Sequence, residues 1–203
     1  MNRILVFLVS FFLCNGSIFA QKSLNLDFEY RHVNLYHGYI LPQNWYAGGG
    51  GSSVGITHPD STGYKVFLDN LEKHSGMYSL KMEMLGDKKN NNFGVFTGTL
   101  PFESFASKNV EFRGWIKTKD VKNGYAGLWF RVDGKNKKTL GIDNMHDRGL
   151  NGDNEWTQVS IKMKVKKNVT NINYGGLFTG EGTAWFDNLE LYINGEKYID
   201  FDF

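Results

Sequence analysis

Apolar and polar residues alternate with a period of two through most of this chain, the spacing of strands that bury one face. In residues 23–30, Leu24, Leu26 and Phe28 fall on one side, with Asn25, Asp27 and Glu29 on the other. Residues 64–68 alternate through Tyr64, Val66 and Leu68, although Tyr64, Phe67, Leu68 and Leu71 also fit one helical face. Further strands are predicted over 77–84, 93–100, 110–118, 127–133, 157–165, 172–178 and 183–193. Turn-rich links such as His74-Ser75-Gly76, Asp133-Gly134 and Gly180-Glu181-Gly182 join them. Roughly nine evenly spaced short strands, with no convincing helix between them, predict an all-β sandwich or barrel. No Pro/Ser-rich linker and no fixed repeat divides the chain, so residues 21–203 read as one antiparallel β-sandwich domain.

Two strands carry more than fold information. In residues 157–166, Val159, Ile161, Met163 and Val165 face one way, while Ser160, Lys162, Lys164 and Lys166 face the other. That is a solvated outer face whose lysines also discourage edge-to-edge pairing. In residues 127–133 the core side is Leu128, Phe130 and Val132, and the other side carries Trp129, Arg131 and Asp133. An indole beside a guanidinium and a carboxylate suits a concave binding face, because sugar rings have apolar faces and polar edges. The preceding strand adds Trp115. The same residues also fit a plain ion pair, Arg131 with Asp133 or Asp143, locking a loop under a packed tryptophan.

The first twenty residues stand apart from this pattern. Arg3 precedes an apolar run from residue 4 to 14, and Ala20 supplies a small residue before Gln21. That order predicts a signal peptide over 1–20 and a periplasmic or secreted protein. A lipoprotein on Cys14 is the rival reading, but bulky Leu13 sits where such a site needs a small residue. No later stretch has the roughly 20 apolar residues of a membrane-spanning helix. Cys14 is the only cysteine, which leaves the rest of the chain without disulfides. A formal net charge of +2 offers no general attraction to nucleic acid or anionic membrane. The 24 glycines and 15% aromatic content fit many tight turns around an all-β core.

The motifs also carry a family resemblance. They run from Asn25 to Glu29, through Pro42-Gln43-Asn44-Trp45, Leu68-Asp69 and His74-Ser75-Gly76, to the Trp129 strand. They continue through Asp143-Asn144-Met145, Asp147-Arg148, Gly152 and Trp156, and end at Trp185-Phe186-Asp187-Asn188. This resembles the galactose-binding-like jelly roll of many carbohydrate-binding modules. More closely, it is similar to a bacterial domain found alone or appended to AraC-type regulators and exported hydrolases. The likeness spans about residues 25–192, and its middle block, from Trp129 to Trp156, is the distinctive part. Nothing in the chain resembles the helix-turn-helix of a regulator. The resemblance implies a jelly roll and a structural calcium, with Glu29 at the early acidic position and Asp187 at the late one. Main-chain carbonyls of residues 73–76 would complete that oxygen-rich site.

Catalytic patterns are thin. Residues 51–55 satisfy G-x-S-x-G around Ser53, with His58 and Asp60 behind it, but the flanks are loop rather than strand and helix. The five histidines, His32, His37, His58, His74 and His146, show no zinc spacing. Asp143, Asp147, Asp153 and Glu155 are the best glycosidase pair candidates, although turns favour the same residues. The expectation is a non-catalytic, exported ligand-binding module, with carbohydrate the leading ligand. Trp129 would stack on a ring, Arg131 and Asp143 would bond hydroxyls or a carboxylate, and Asn144 and Arg148 would line the rim. Trp115 and Trp45 fit either site or core. An interaction module docking a protein partner through the same face, or a glycoside-active enzyme, are the alternatives.

Overall fold

The computed structural model describes residues 23–30, 34–36, 39–49, 63–85 and 93–199. The expected leader, the 51–55 motif with His58 and Asp60, and His32 and His37 lie outside the described residues. Twelve strands run through the described part. They are β1 (Asn34–Tyr36), β2 (Tyr39–Leu41), β3 (Tyr46–Gly49), β4 (Tyr64–Asp69), β5 (Ser79–Met84) and β6 (Phe93–Leu100), followed by β7 (Asn109–Gly134) and β8 (Thr139–Asp143). The last four are β9 (Leu150–Lys164), β10 (Val169–Thr179), β11 (Glu181–Ile193) and β12 (Glu196–Lys197). Every pairing among them is antiparallel.

The long strand β7 joins two sheets. Its first half pairs with β11 and β9, and from Ala126 onward it pairs with β10 and β8. One sheet therefore runs β4-β5-β11-β7-β9, and the other β3-β6-β10-β7-β8. The stretches 110–118 and 127–133, expected as separate strands, are two halves of one strand that crosses between layers. At the corner Asp120 and Asn123 take positive φ of 55° and 54°, and the register with β9 slips. Such irregularities bend and re-aim a strand. Gly124 sits there because a Cβ would lie 2.2 Å from the Thr179 carbonyl oxygen.

Aromatic side chains from the two inner faces meet edge-on across the sandwich. Phe96 of β6 packs on Phe186 of β11 at 5.1 Å, and Phe178 of β10 on Tyr64 of β4 at 5.4 Å. Phe112 of β7 meets Tyr174 of β10 at 5.3 Å. Leu128, Phe130 and Val132 are buried as the alternation predicts. The all-β jelly-roll sandwich read from the sequence is the architecture observed. On edge strand β9, Ile161 is buried while Lys162 and Lys164 are exposed.

Residues 23–30 depart from the expected strand. Leu24, Leu26 and Phe28 are buried, but the backbone turns, with φ of 53° at Asn25 and 65° at Phe28. The buried Asn25 amide drives this, donating to the carbonyls of Tyr30 at 3.2 Å and Gln43 at 3.1 Å while accepting from the Tyr30 N–H at 2.9 Å. A buried amide with its bonds satisfied outweighs the extended conformation. Trp45 is core here, its indole N–H donating to the Asn25 carbonyl at 2.8 Å. The short helix α1 (Phe102–Phe105), too brief for a period to be visible, plugs one end with the buried Phe105. No helix among the described residues is long and apolar enough to cross a membrane.

Tyr64 ties β4 to the β10–β11 turn, its hydroxyl donating to the Gly180 carbonyl at 2.7 Å. Burial pushes its phenol up from 10.0 to about 12. A phenol held neutral in the fold contributes stability that is complete below pH 10 and lost as pH rises toward 12. About 1.4 kcal/mol of it is gone at pH 11. Urea unfolding of wild type and Tyr64→Phe at pH 8 and pH 11 tests this. The wild type should lose about that much more than the variant between the two; equal losses would refute the assignment.

Candidate functional site

The outer face of the β3-β6-β10-β7-β8 sheet holds a cleft of about 880 Å³. Strand alternation decides what lines it. Trp129, Arg131 and Asp133 of β7 point outward opposite buried Leu128, Phe130 and Val132. Neighbouring β10 contributes Asn171, Asn173 and Leu177, and β6 contributes Phe93 and Val95. Tyr125 closes one end, and the Lys135–Lys137 turn contributes Asn136 and Lys137 at the other.

Trp129 is the floor. In the register Gly175 lies directly beside Trp129, with Thr97 of β6 beyond it. The indole crosses over Gly175 and its N–H donates to the Phe96 carbonyl at 3.2 Å, two strands away. Strands lie about 4.8 Å apart, so the ring must lie along the sheet to make that bond. Residue 175 has room only for glycine, since a Cβ there would come within 2.0 Å of the Phe96 carbonyl oxygen of the neighbouring strand. An indole laid along a sheet offers one π-face to the cleft.

Arg131 and Asp133 form the ion pair that the sequence allowed. The Arg131 Nε–H is shared between both Asp133 oxygens at 3.0 and 2.9 Å, and Nη2 donates to Thr139 Oγ1 at 3.1 Å. Asp133 is nearly buried while Arg131 keeps 38% of its side chain exposed. The carboxylate therefore fixes the guanidinium at the cleft wall. At the next position inward Asn173 accepts from Thr99 at 3.3 Å. Tyr125 remains a neutral hydroxyl, its phenol pushed up first by burial and then by the charges of Asp143 and Asp147.

Asp143 and Arg148 do not line the cleft. Asp143 pairs with Phe130 in the register, so it shares the inward side of β8. There it accepts from Arg148 Nη2 at 2.6 Å and from the Met145 N–H at 3.0 Å. Arg148 Nη1 also donates to Asp147 at 3.1 Å. These bonds close the 143–148 loop, which delivers Asn144 into the cleft. The other carboxylate candidates are likewise tied down: Asp153 accepts the Asp120 N–H at 2.7 Å, and Glu155 pairs with Lys117 at 3.1 Å.

Trp115 belongs to the opposite sheet. Its ring stacks on His74 at 4.1 Å, and Trp156 meets the same histidine edge-on at 5.6 Å. Asp187 is its register partner. Asp187 accepts the N–H groups of His74, Ser75 and Asn188 at 2.8, 3.0 and 2.6 Å, and Glu29 accepts those of Met77 and Tyr78 at 2.7 and 3.1 Å. Burial pushes the Asp187 carboxyl up, against the pull of those three donors. The two carboxylates thus hold one loop, residues 74–78, from both sides of Gly76. Among the described residues no three His, Cys, Asp or Glu side chains gather. A carboxylate has about four lone-pair sites. Glu29 Oε1 takes both of its donors, and the three donors of Asp187 are spread over both of its oxygens.

Asn171, Asn173, Gly175 and Leu177 escaped the sequence reading. Their signal was the alternation of β10 against Ile172, Tyr174, Gly176 and Phe178, but nothing local marks that outer side as the neighbour of Trp129.

The fold has relatives of known structure. A xylan-binding domain of carbohydrate-binding module family 22 superposes with a TM-score of 0.51 at 11% identity, covering 75% of this chain and 88% of that one. The CBM22-1 xylan-binding domain from Paenibacillus barcinonensis gives 0.50 at 15% identity, covering 74% and 86%. The fold is that of the carbohydrate-binding-module jelly rolls. An arabinose-bound family 51 α-L-arabinofuranosidase shares it over 88% of this chain and 27% of its own, with a TM-score of 0.56 and 13% identity. By sequence, an uncharacterized HTH-type transcriptional regulator of Bacillus subtilis (strain 168), YbfP, is 29% identical over 128 residues. The match takes in 62% of this chain and 42% of the regulator, so this chain spans less than half of that relative. No protein-family profile matches the chain.

Proposed function

We propose that this protein is a non-catalytic module of an exported protein that binds carbohydrate in the Trp129 cleft. The observation that carries the reading is the indole laid over Gly175, beside an Arg131–Asp133 pair that fixes polar groups in the same cleft. The xylan-binding and arabinose-bound neighbours lend it support. Among the described residues lining the cleft, Asp133 is the single carboxylate, and Arg131 holds it. Glycoside hydrolysis uses two carboxyls facing each other across the bond. Affinity electrophoresis through gels containing soluble xylan, mixed-linkage glucan, galactan or pectin tests the proposal. Retardation in at least one gel is expected; free migration of folded protein in all of them would refute it.

A protein partner is the second reading, favoured by Ile142, which is 56% exposed beside the cleft. Aromatic and arginine anchors with an apolar neighbour are common at such interfaces.

We also propose calcium at Glu29 and Asp187. Bound to the native state alone, it would stabilise by mass action. Millimolar calcium should raise the melting temperature by several degrees over chelator-treated protein. Identical melting would leave the two carboxylates with the 74–78 loop as their sole task.

A further inference from the structure

The cleft changes character along its length. The register sets Thr179 of β10 opposite Phe93, Leu177 opposite Val95 and Gly127, Gly175 opposite Trp129, and Asn173 opposite Arg131 and Thr99. Moving down β10, the outer face is therefore apolar, then aromatic, then polar. A sheet face turned to water is ordinarily polar throughout. Leu177, on the outer side of β10, lines the cleft but is only 8% exposed, so its neighbours already cover most of it. Gly127 beside it carries no side chain because Met145, the Asn144 carbonyl and the Tyr125 ring take the space over it, so the apolar end of the cleft is what Phe93, Val95, Leu177 and Tyr125 line. Two residues along a strand span about 7 Å. An apolar seat thus begins roughly one sugar ring away from the Trp129 platform.

Resting on the carbohydrate reading above, we propose that the ligand is a glycan carrying an apolar substituent of the acyl-ester or alkyl class. The ring stacks on Trp129, its hydroxyls reach Arg131 and Asn173, and the substituent enters the seat formed by Leu177, Val95, Phe93 and Tyr125. A neutral unsubstituted sugar would leave the half-exposed Phe93, Val95 and Tyr125 facing water and gain nothing from them. A buried methylene is worth roughly fourfold in affinity.

The test compares methyl and butyl β-glycosides of xylose, glucose, galactose and arabinose, titrated into the protein and followed by heteronuclear NMR, which reads weak dissociation constants. For whichever sugar binds, the butyl glycoside should bind at least about tenfold tighter, with the largest shifts at the Leu177 and Val95 methyl groups. Leu177→Asn should bring the ratio of the two affinities toward one. Val95→Thr is nearly isosteric and keeps the fold, and it should lower the ratio as well. Equal affinity for methyl and butyl glycosides, or a preference that neither substitution changes, would overturn the substituent seat while the sugar site stands. Absence of binding by both glycosides of all four sugars would overturn the seat together with the carbohydrate reading.

Discussion

Trp129→Ala should abolish polysaccharide retention while leaving the protein folded. The indole is half-buried and lies outside the hydrophobic core, so its truncation opens no internal cavity. The fold loses one hydrogen bond to the Phe96 carbonyl, worth about 1 kcal/mol. Binding loses its stacking platform, and a central aromatic anchor of this kind carries about 2–4 kcal/mol. That corresponds to at least about a thirtyfold rise in Kd, enough to erase retention when the starting affinity is modest. Trp129→Phe keeps a π-face but drops the N–H that holds the ring along the sheet, so it should bind with an intermediate affinity. Affinity electrophoresis paired with thermal melting separates the two effects. Retention by Trp129→Ala at the wild-type level would move the binding site away from this cleft.

Phe96→Ala should produce the largest loss of stability, about 3–5 kcal/mol. Phe96 is fully buried and touches Phe28 at 5.8 Å, Trp45 at 5.2 Å and Phe186 at 5.1 Å, all edge-on. It joins the turn at residues 23–30, strand β6 and the opposite sheet at one point. Each such pair adds about 0.5–1.5 kcal/mol beyond area burial, and a cavity among three rigid rings collapses poorly. Domains of this size are stable by about 5–15 kcal/mol, so the variant should melt roughly 10 °C lower. Urea unfolding should show the midpoint falling with an unchanged slope. Phe96→Leu, which fills much of the space, should cost appreciably less. A loss under about 1 kcal/mol for the alanine variant would mean that this cluster does not hold the sheets together.

The two substitutions share a link that runs through one carbonyl. Phe96 packs inward while its main-chain oxygen, on the side of its strand next to Gly175, accepts from Trp129. The platform is therefore built on the core: the ring below sets the position of the strand, and the strand holds the indole. Phe96→Ala protein that is still folded at low temperature should consequently bind more weakly than wild type, although residue 96 touches no ligand.

The candidate site was legible where strand alternation alone decides. Trp129, Arg131 and Asp133 had to share one side of their strand because successive side chains point to opposite faces. Asp143 could not be placed this way. Whether it joins them depends on its register against β7, and pairing with Phe130 turns it inward to Arg148. Trp115 was misleading for a different reason. It lies on the same strand as Trp129, but the corner at Asp120 and Asn123 carries it into the other sheet, where it supports His74. The turn at residues 23–30 alternates as a strand would, yet one buried amide with long-range partners set its backbone.

By itself the sequence determined the local order: which stretches are extended, which side of each is apolar, where the turns fall, and so the all-β class. These follow from neighbours a few residues apart. Tertiary structure decided which strands lie side by side, and with that the composition of the cleft. Asn173 and Gly175 meet Arg131 and Trp129 across more than forty positions of chain, through main-chain hydrogen bonds that are the same whatever the side chains. No local pattern records such a pairing. It is selected by the fit of Phe96, Phe112, Phe178 and Phe186 between the sheets, because a slip of one residue would turn those rings out to water.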